Sequence, residues 1–149
     1  MITLVRTNAD DEAFRYLVSL LDEGLKITDG EEHAFYDQFN KVDNIKYVVV
    51  AYDDEIPVGC GAIKEYDVRT MEIKRMFVKS EQRGKGIAST ILADLESWAM
   101  ELNHNRCILE TGSRQVEAID LYHKRGYKRI QNYGQYAGIE NSVCFDKDL

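Results

Sequence analysis

The feature that most constrains the fold is a short glycine turn between a strand-like segment and a helix-like segment. Residues 71–78 (Met-Glu-Ile-Lys-Arg-Met-Phe-Val) are typical of a strand. Gly84-Lys85-Gly86 follows, and apolar residues then repeat at helical spacing over residues 87–102. Residues 107–111 form a second, apolar strand-like run. A strand–helix–strand unit needs a crossover connection, which predicts that its two strands lie parallel in one sheet.

The segments around this unit predict mostly antiparallel strands. Residues 46–52 and 57–66 are strand-like and are separated by a polar turn, which indicates a hairpin that continues into residues 71–78. The predicted fold class is therefore α/β, with a mixed, mostly antiparallel central sheet flanked by helices, in the order βααβββαβαββ. The remaining predicted elements are strands at 2–6, 127–130 and 142–145, helices over 14–25 and 116–125, and a second short helix or loop at 30–39.

The composition fits one globular domain. The chain has 149 residues, of which 44% are hydrophobic and 30% charged, as is typical of a folded single domain. We therefore expect residues 1–149 to form a single domain. The N-terminus does not resemble a leader, and no run of eighteen apolar residues occurs, so we expect a cytoplasmic protein without a membrane span.

Charge and cysteine content exclude several classes of partner. The net charge of −7 opposes binding to nucleic acid or to anionic membranes, because both attract cationic surfaces. A cationic amine is a more natural ligand. Cys60, Cys107 and Cys144 are odd in number and lack a Cys-x-x-Cys pair, and the three histidines show no metal-site spacing, so we expect reduced cysteines and no metal.

The glycine turn itself predicts an anion site. Amide groups at a helix N-terminus carry partial positive charge, and Lys79, Arg83 and Lys85 add full charges nearby. Two familiar phosphate loops do not fit. The turn lacks the Gly-x-x-x-x-Gly-Lys-Ser/Thr of a P-loop, and it lacks the third glycine of a dinucleotide fingerprint.

Arg83-x-x-Gly86-x-Ala88 resembles the Arg/Gln-x-x-Gly-x-Gly/Ala signature with which GNAT enzymes hold the pyrophosphate of acetyl-CoA. The similarity continues downstream and covers residues 71–130 most clearly. Its further matching segments are Leu109-Glu110-Thr111, Gln115 and Ala118-Ile119-x-Leu121-Tyr122-x-Lys124-x-Gly126-Tyr127. Two positions depart from the commoner pattern: Ala88 replaces a glycine, and Gln115 stands where an asparagine often binds the cofactor.

The resemblance implies an acetyl-CoA-dependent N-acetyltransferase with a GNAT-like fold, in which the fourth and fifth strands splay apart. Backbone groups left unpaired by the splay are expected to hold the acetyl and pantetheine parts of the cofactor, although an ordinary paired strand is the alternative. The implied cofactor-binding residues are Met76, Phe77, Val78, Arg83, Gly84, Lys85, Gly86, Ile87, Ala88, Ser89, Gln115 and Tyr122.

The resemblance also implies catalytic residues. Glu72 resembles the base carboxylate of family histone acetyltransferases, and Glu110 resembles that of enzymes acting on protein N-termini. Strand periodicity predicts that Glu72 shares a face of the sheet with Lys74, Met76 and Val78. The alternative role of Glu72 is that of an ion-pair partner on a solvated face. Tyr122 occupies the position of the family's general acid, and its alternative role is a core tyrosine, the role we expect for Tyr127.

The acceptor is expected to be the primary amine of a small molecule or amino acid, because the compact chain has no added recognition domain. Two aromatic clusters are candidate linings of the acceptor pocket: Phe35, Tyr36 and Phe39 in one, and Tyr133 and Tyr136, beside Gly134 and Gly138, in the other. Two alternatives stay open, a protein acetyltransferase acting on lysines or N-termini, and a non-catalytic acyl-CoA sensor. The family resemblance further implies a homodimer.

Overall fold

The computed structural model describes residues 1–29 and 45–149. The segment 30–39, with Phe35, Tyr36 and Phe39, lies outside the described residues. In chain order the elements are β1 (Ile2–Thr7), α1 (Glu12–Asp29), β2 (Tyr47–Asp53), β3 (Ile56–Asp67), β4 (Thr70–Val78), α2 (Ile87–Glu101), β5 (Arg106–Gly112), α3 (Val116–Lys124), β6 (Lys128–Ile130) and β7 (Ser142–Asp148).

The strands form one seven-stranded sheet in the order β1-β2-β3-β4-β5-β7-β6. Neighbouring strands are antiparallel at every junction except β4–β5, which is parallel. The parallel pair flanks helix α2, as the crossover argument predicts, so the mixed and mostly antiparallel α/β fold is confirmed. Within the described part of the chain, no helix is both long and apolar enough to cross a membrane.

Helices cover both faces of the sheet. On one face, Phe14 and Leu17 of α1 pack against Val48 and Val50 of β2. On the other face, Ile91 and Leu95 of α2 belong to a larger core that also includes residues of α3, β5 and β7. The apolar spacing read in the sequence therefore corresponds to real core contacts, because each helix buries its apolar stripe against the sheet.

A β-bulge interrupts β4 at Arg75. Cys60 of β3 pairs with Phe77, but Ala62 pairs with Lys74, so a single β3 residue, Gly61, faces two residues of β4. Arg75 adopts the left-handed region with φ of 57°, which rotates the strand beyond it.

The bulge overturns the predicted face of Glu72. Met76 and Val78 pack into the core beneath α2, whereas Glu72 and Lys74 lie on the α1 face of the sheet. The expectation that all four side chains share a face is wrong, because period-2 alternation fails wherever an extra residue enters a strand.

Strands β4 and β5 separate soon after they meet. They pair only at Thr70–Arg106, Met71–Cys107 and Glu72–Ile108, although β4 runs on to Val78 and β5 to Gly112. Beyond Glu72, no further pair joins β4 to β5 within residues 1–29 and 45–149. The sheet therefore opens between its fourth and fifth strands, and the opening connects its two faces.

Candidate active site

Two adjoining cavities lie at this opening. The loop arm, of about 550 Å³, is lined by the end of β4, by the turn and helix start from Gln82 to Ser89 except Lys85, and by residues of α3. The carboxylate arm, of about 140 Å³, is lined by Glu72, Lys74, Glu110 and Tyr136, among others. The two arms share the lining residues Leu21, Met76, Gln115, Ala118 and Tyr122.

Gly84 and Gly86 shape the loop arm through backbone conformation. Their φ angles are +81° and +79°, values that residues with a Cβ rarely adopt. A Cβ built on either residue would meet no atom within 4 Å, so open space lies beside both. The two glycines are therefore required for the turn, and they leave its backbone accessible to a ligand.

The turn delivers the start of α2 to the cleft. Gly86 is the N-cap residue, and the first helical hydrogen bond is donated by the Thr90 amide to the Gly86 carbonyl at 3.0 Å. The amides of Ile87, Ala88 and Ser89 precede that bond, so they have no partner within the helix. All three residues line the loop arm, where their amides can bind an anion.

The three cations near the turn are placed differently. Arg83 lines the loop arm and donates from Nε to the Val78 carbonyl at 3.0 Å, which ties the loop to the end of β4. Lys85 donates to the Gln82 side chain at 3.0 Å and is not among the lining residues of either arm. Lys79 lies over the ring of Tyr16, 5.0 Å from its centroid. Of the three, Arg83 is best placed to contact a bound phosphate.

The predicted strand contacts, Met76, Phe77 and Val78, also line the loop arm. Phe77 and Val78 pair with β3 on one edge of β4, and the opposite edge faces the opening between β4 and β5. Strand pairing with β5 ends at Glu72, so backbone groups on that edge can face a ligand, apart from the Val78 carbonyl, which accepts from Arg83.

Tyr122 lies where the two arms meet. It is 5% exposed, and its ring stacks edge-on against that of Tyr127 at 5.8 Å. Burial, and then the charge of Glu110, raise the pKa of Tyr122, so its phenol stays protonated and can donate a proton. Tyr127 lies in the core as predicted, with its hydroxyl donating to Glu96 at 2.9 Å.

Glu72 is a buried carboxylate rather than a solvated one. It is 8% exposed, lines the carboxylate arm and accepts a hydrogen bond from the Tyr133 hydroxyl at 2.6 Å through Oε2. The Nζ atom of Lys74 lies 3.8 Å from Oε1. The ion pair with Lys74 is thus real, but it lies inside the cleft and not on a solvated face.

Glu110 reaches the same arm from β5, where it lies opposite Cys144 of β7. The charges of Glu72 and Glu110 both act on Lys74, yet burial is the larger effect and lowers the pKa of Lys74. Two carboxylates and a buried ammonium group therefore share one small cavity, which suits the handling of a proton from an amine.

Two contacts of this arm carry no signal in the sequence. Tyr133 and Glu72 are 61 residues apart, and nothing in the pattern predicts their hydrogen bond. Arg75, at the bulge, forms an ion pair with Asp22 of α1, and this pair ties the helix to the wall of the arm. Long-range side-chain contacts such as these depend on the tertiary fold alone.

Gln115 is the N-cap residue of α3, and its side chain lines both arms. The predicted cofactor contacts are thus brought together, apart from the side chain of Lys85. Among residues 1–29 and 45–149, no cluster of three or more His, Cys, Asp or Glu side chains could hold a metal ion.

Comparisons with known proteins agree with this architecture. A family model described as the acetyltransferase (GNAT) family matches residues 11–127. An IAA acetyltransferase of Azospirillum brasilense is 30% identical over 151 residues, covering 99% of this chain and 98% of that protein. A Klebsiella pneumoniae protein assigned as an acyl-CoA N-acyltransferase has a TM-score of 0.84 at 25% identity, covering 100% of this chain and 98% of that one.

A GNAT family acetyltransferase from Elizabethkingia anophelis, solved with acetyl-CoA bound, shares the fold at a TM-score of 0.73 and 18% identity, covering 99% of this chain and 98% of that one. The family model spans most of the chain, and it includes the turn at Gly86, both candidate carboxylates and Tyr122. The chain therefore belongs to the acetyltransferase (GNAT) family and is an N-acetyltransferase.

Proposed function

We propose that this enzyme transfers the acetyl group of acetyl-CoA to the primary amine of a small molecule or amino acid. The observation that carries the proposal is the meeting of the two arms at Tyr122, with a phosphate-type turn at one end and buried carboxylates at the other. Residues 1–149 would form one catalytic domain that acts in the cytoplasm.

The loop arm fits the cofactor. The free amides of Ile87, Ala88 and Ser89, with Arg83 beside them, suit a pyrophosphate, and open space beside Gly84 and Gly86 allows close approach of the backbone. Residues 76–78 would hold the pantetheine and acetyl parts through backbone groups. The same fold in the Elizabethkingia anophelis protein accommodates acetyl-CoA, which supports this assignment.

The acceptor must lose a proton before it can attack. A primary amine has a pKa of about 10.4 and is almost wholly protonated at neutral pH. Glu72 or Glu110, directly or through a water molecule, would accept that proton inside the carboxylate arm. The neutral nitrogen then forms a bond to the thioester carbon, which is the electrophile that acetyl-CoA supplies.

The β4 amides and Tyr122 would act on the carbonyl oxygen and the sulfur of the thioester. Backbone amides of β4 near Met76 would stabilise the negative charge that develops on the carbonyl oxygen of the thioester. As the carbon–sulfur bond breaks, Tyr122 donates its proton to the leaving thiolate, and the phenolate regains a proton from the base through solvent. The products are an N-acetylated amine, the free CoA thiol and one proton released to water.

The size and burial of the carboxylate arm favour a small acceptor. An arm of about 140 Å³ with buried carboxylates would admit a compact amine more readily than a folded protein surface. The fold alone supports many acceptors, so the acceptor has to be tested directly.

The test is release of the CoA thiol from acetyl-CoA in the presence of three groups of acceptors: small primary amines, amino acids, and peptides carrying a lysine or a free N-terminus. We expect release with at least one small amine or amino acid. Release with peptides alone would favour a protein acetyltransferase. Tight acetyl-CoA binding without release from any acceptor would favour a non-catalytic sensor.

A further inference from the structure

The segment between β6 and β7 supplies a direct partner for Glu72. The Tyr133 hydroxyl donates to Glu72 Oε2 at 2.6 Å, a distance typical of a hydrogen bond from a hydroxyl to a carboxylate. The rings of Tyr66 and Tyr136 pack edge-on against Tyr133 at 5.4 Å and 5.8 Å. These contacts hold the phenol ring in place, so its hydroxyl fixes the position of one carboxylate oxygen.

Because Tyr133 fixes Oε2, the orientation of the other carboxylate oxygen of Glu72, Oε1, is fixed as well. Oε1 lies 3.8 Å from Lys74 Nζ, which is beyond hydrogen-bond distance, and Glu72 lines the carboxylate arm. Glu72 also belongs to the last residue pair that joins β4 to β5, directly at the start of the opening. Oε1 is therefore the oxygen left to meet an acceptor amine.

We propose that Tyr133 is a positioning residue that fixes one carboxylate oxygen of Glu72 and directs the other, Oε1, towards the acceptor amine. This inference rests on the proposed function, in which Glu72 is a candidate base. A hydrogen bond from a buried phenol stabilises the ionised carboxylate more than the protonated one, so its loss makes the ionised form harder to reach.

Other titratable groups also lie near Glu72 and Tyr133. Burial, and then the charge of Glu72, raise the pKa of Tyr133, so the phenol remains a donor while the carboxylate is ionised. In the described part of the chain, the other titratable groups near Glu72 are Lys74 and Arg75 on β4, Lys64 on β3, Glu110 on β5, Cys144 on β7 and Tyr136 beside Tyr133.

The test compares pH profiles of kcat/KM for wild-type, Y133F, E72Q and the double variant, using the best amine of the acceptor panel. Y133F should shift the acidic limb of the profile to higher pH by about one unit, equal to roughly tenfold lower kcat/KM on that limb. The KM for acetyl-CoA should be unchanged, because Tyr133 does not line the loop arm. In the E72Q background, Y133F should cause no further shift.

Y66F is the matched control, since Tyr66 contacts the Tyr133 ring but is itself 45% exposed. Its profile should overlay that of the wild-type enzyme. The inference is overturned if the Y133F profile also overlays that of wild type, or if its shift persists without Glu72. If wild-type enzyme acetylates no amine, or if E72Q retains full activity, the proposed function of Glu72 fails, and the role of Tyr133 fails with it.

Discussion

The loop arm and the carboxylate arm are built in different ways. One wall of the loop arm comes from a continuous stretch, from the end of β4 to the first turn of α2, where backbone groups at the turn and the helix start face the cavity, and α3 supplies the other wall. The carboxylate arm is assembled from side chains of α1, β4, β5, α3 and the segment before β7. A backbone site needs glycines at fixed positions, whereas a side-chain site needs distant residues to converge.

This difference separates the two tasks of the enzyme. Backbone amides at the start of α2 suit a ligand that is the same in every turnover, because their geometry does not depend on side-chain identity. The buried charges of the other arm depend on their neighbours, as the 2.6 Å contact of Tyr133 with Glu72 illustrates. Substitutions in the loop arm should therefore change cofactor affinity, and those in the carboxylate arm should change chemistry or acceptor use.

The largest effect is expected from Y122F, at the junction of the arms. Removing the phenol proton should lower kcat by about a hundredfold, which is typical for loss of a general acid. The KM for acetyl-CoA should change little, because the phenyl ring still fills its place in the cleft. Steady-state rates of CoA thiol release measure both constants.

Y127F is the control for Y122F. Tyr127 packs against Tyr122, but it lines neither arm, and its hydroxyl bonds to buried Glu96. Its loss should lower the free energy of unfolding by roughly 1 kcal/mol and leave kcat near the wild-type value. Equal losses of kcat in the two variants would contradict a proton-donor role for Tyr122.

The two carboxylates can be ranked by E72Q and E110Q, of which the variant at the true base should have an effect comparable to that of Y122F. Whichever residue is the base should lose about a hundredfold in kcat/KM at neutral pH. We expect E72Q to be the more severe, because Glu72 is the more buried and lies at the start of the opening. The ranking is wrong if E110Q alone reduces activity.

E110Q should also change the high-pH side of the pH profile of kcat. The charge of Glu110 helps to raise the pKa of Tyr122, so its removal should lower that pKa. If Tyr122 is the acid, the basic limb of the kcat profile should then begin at lower pH in E110Q than in wild type. An unchanged basic limb would contradict the idea that the charge of Glu110 acts on a catalytic Tyr122.

G86A tests whether the backbone conformation of the turn determines cofactor binding, and it should affect the rate less than the variants of Tyr122 and the two carboxylates. A Cβ at φ of +79° introduces strain of about 1–2 kcal/mol, which should distort the turn and raise the KM for acetyl-CoA roughly tenfold. The control is G138A, which has a similar φ of +77° and open surroundings but lines neither arm. Both variants should lose similar thermal stability, and G86A alone should lose cofactor affinity.

The contrast between the arms also explains what the sequence could predict. The turn was predictable because a positive φ at Gly84 and Gly86 and the start of a helix are local properties that single residues specify. The crossover was predictable because a strand–helix–strand pattern constrains strand direction. These local rules predicted the mixed sheet and the turn at the start of α2, but they did not predict that Glu117, Leu121 and Lys124 of α3 line the loop arm or that Lys85 does not.

The carboxylate arm was less predictable because its geometry depends on the bulge at Arg75. Nothing in Lys74-Arg75-Met76 signals an extra residue in β4, and the bulge is what puts Glu72 and Met76 on opposite faces. The ion pair of Arg75 with Asp22 likewise joins elements that are far apart in the chain. Sequence patterns named the candidate residues, but only the folded chain shows their partners.

The smallest expected effect, from Q115A, would sharpen the boundary between the arms, because Gln115 lines both. Its side chain makes no capping hydrogen bond to α3 within the described structure, so alanine should leave the helix start intact. Loss of one hydrogen bond to the cofactor should raise the KM for acetyl-CoA about fivefold, and Q115N, with the same donor and acceptor groups, should recover part of it. If Q115A raises the KM of the amine instead, Gln115 acts on the acceptor side of the cleft, and its assignment as a cofactor contact is contradicted.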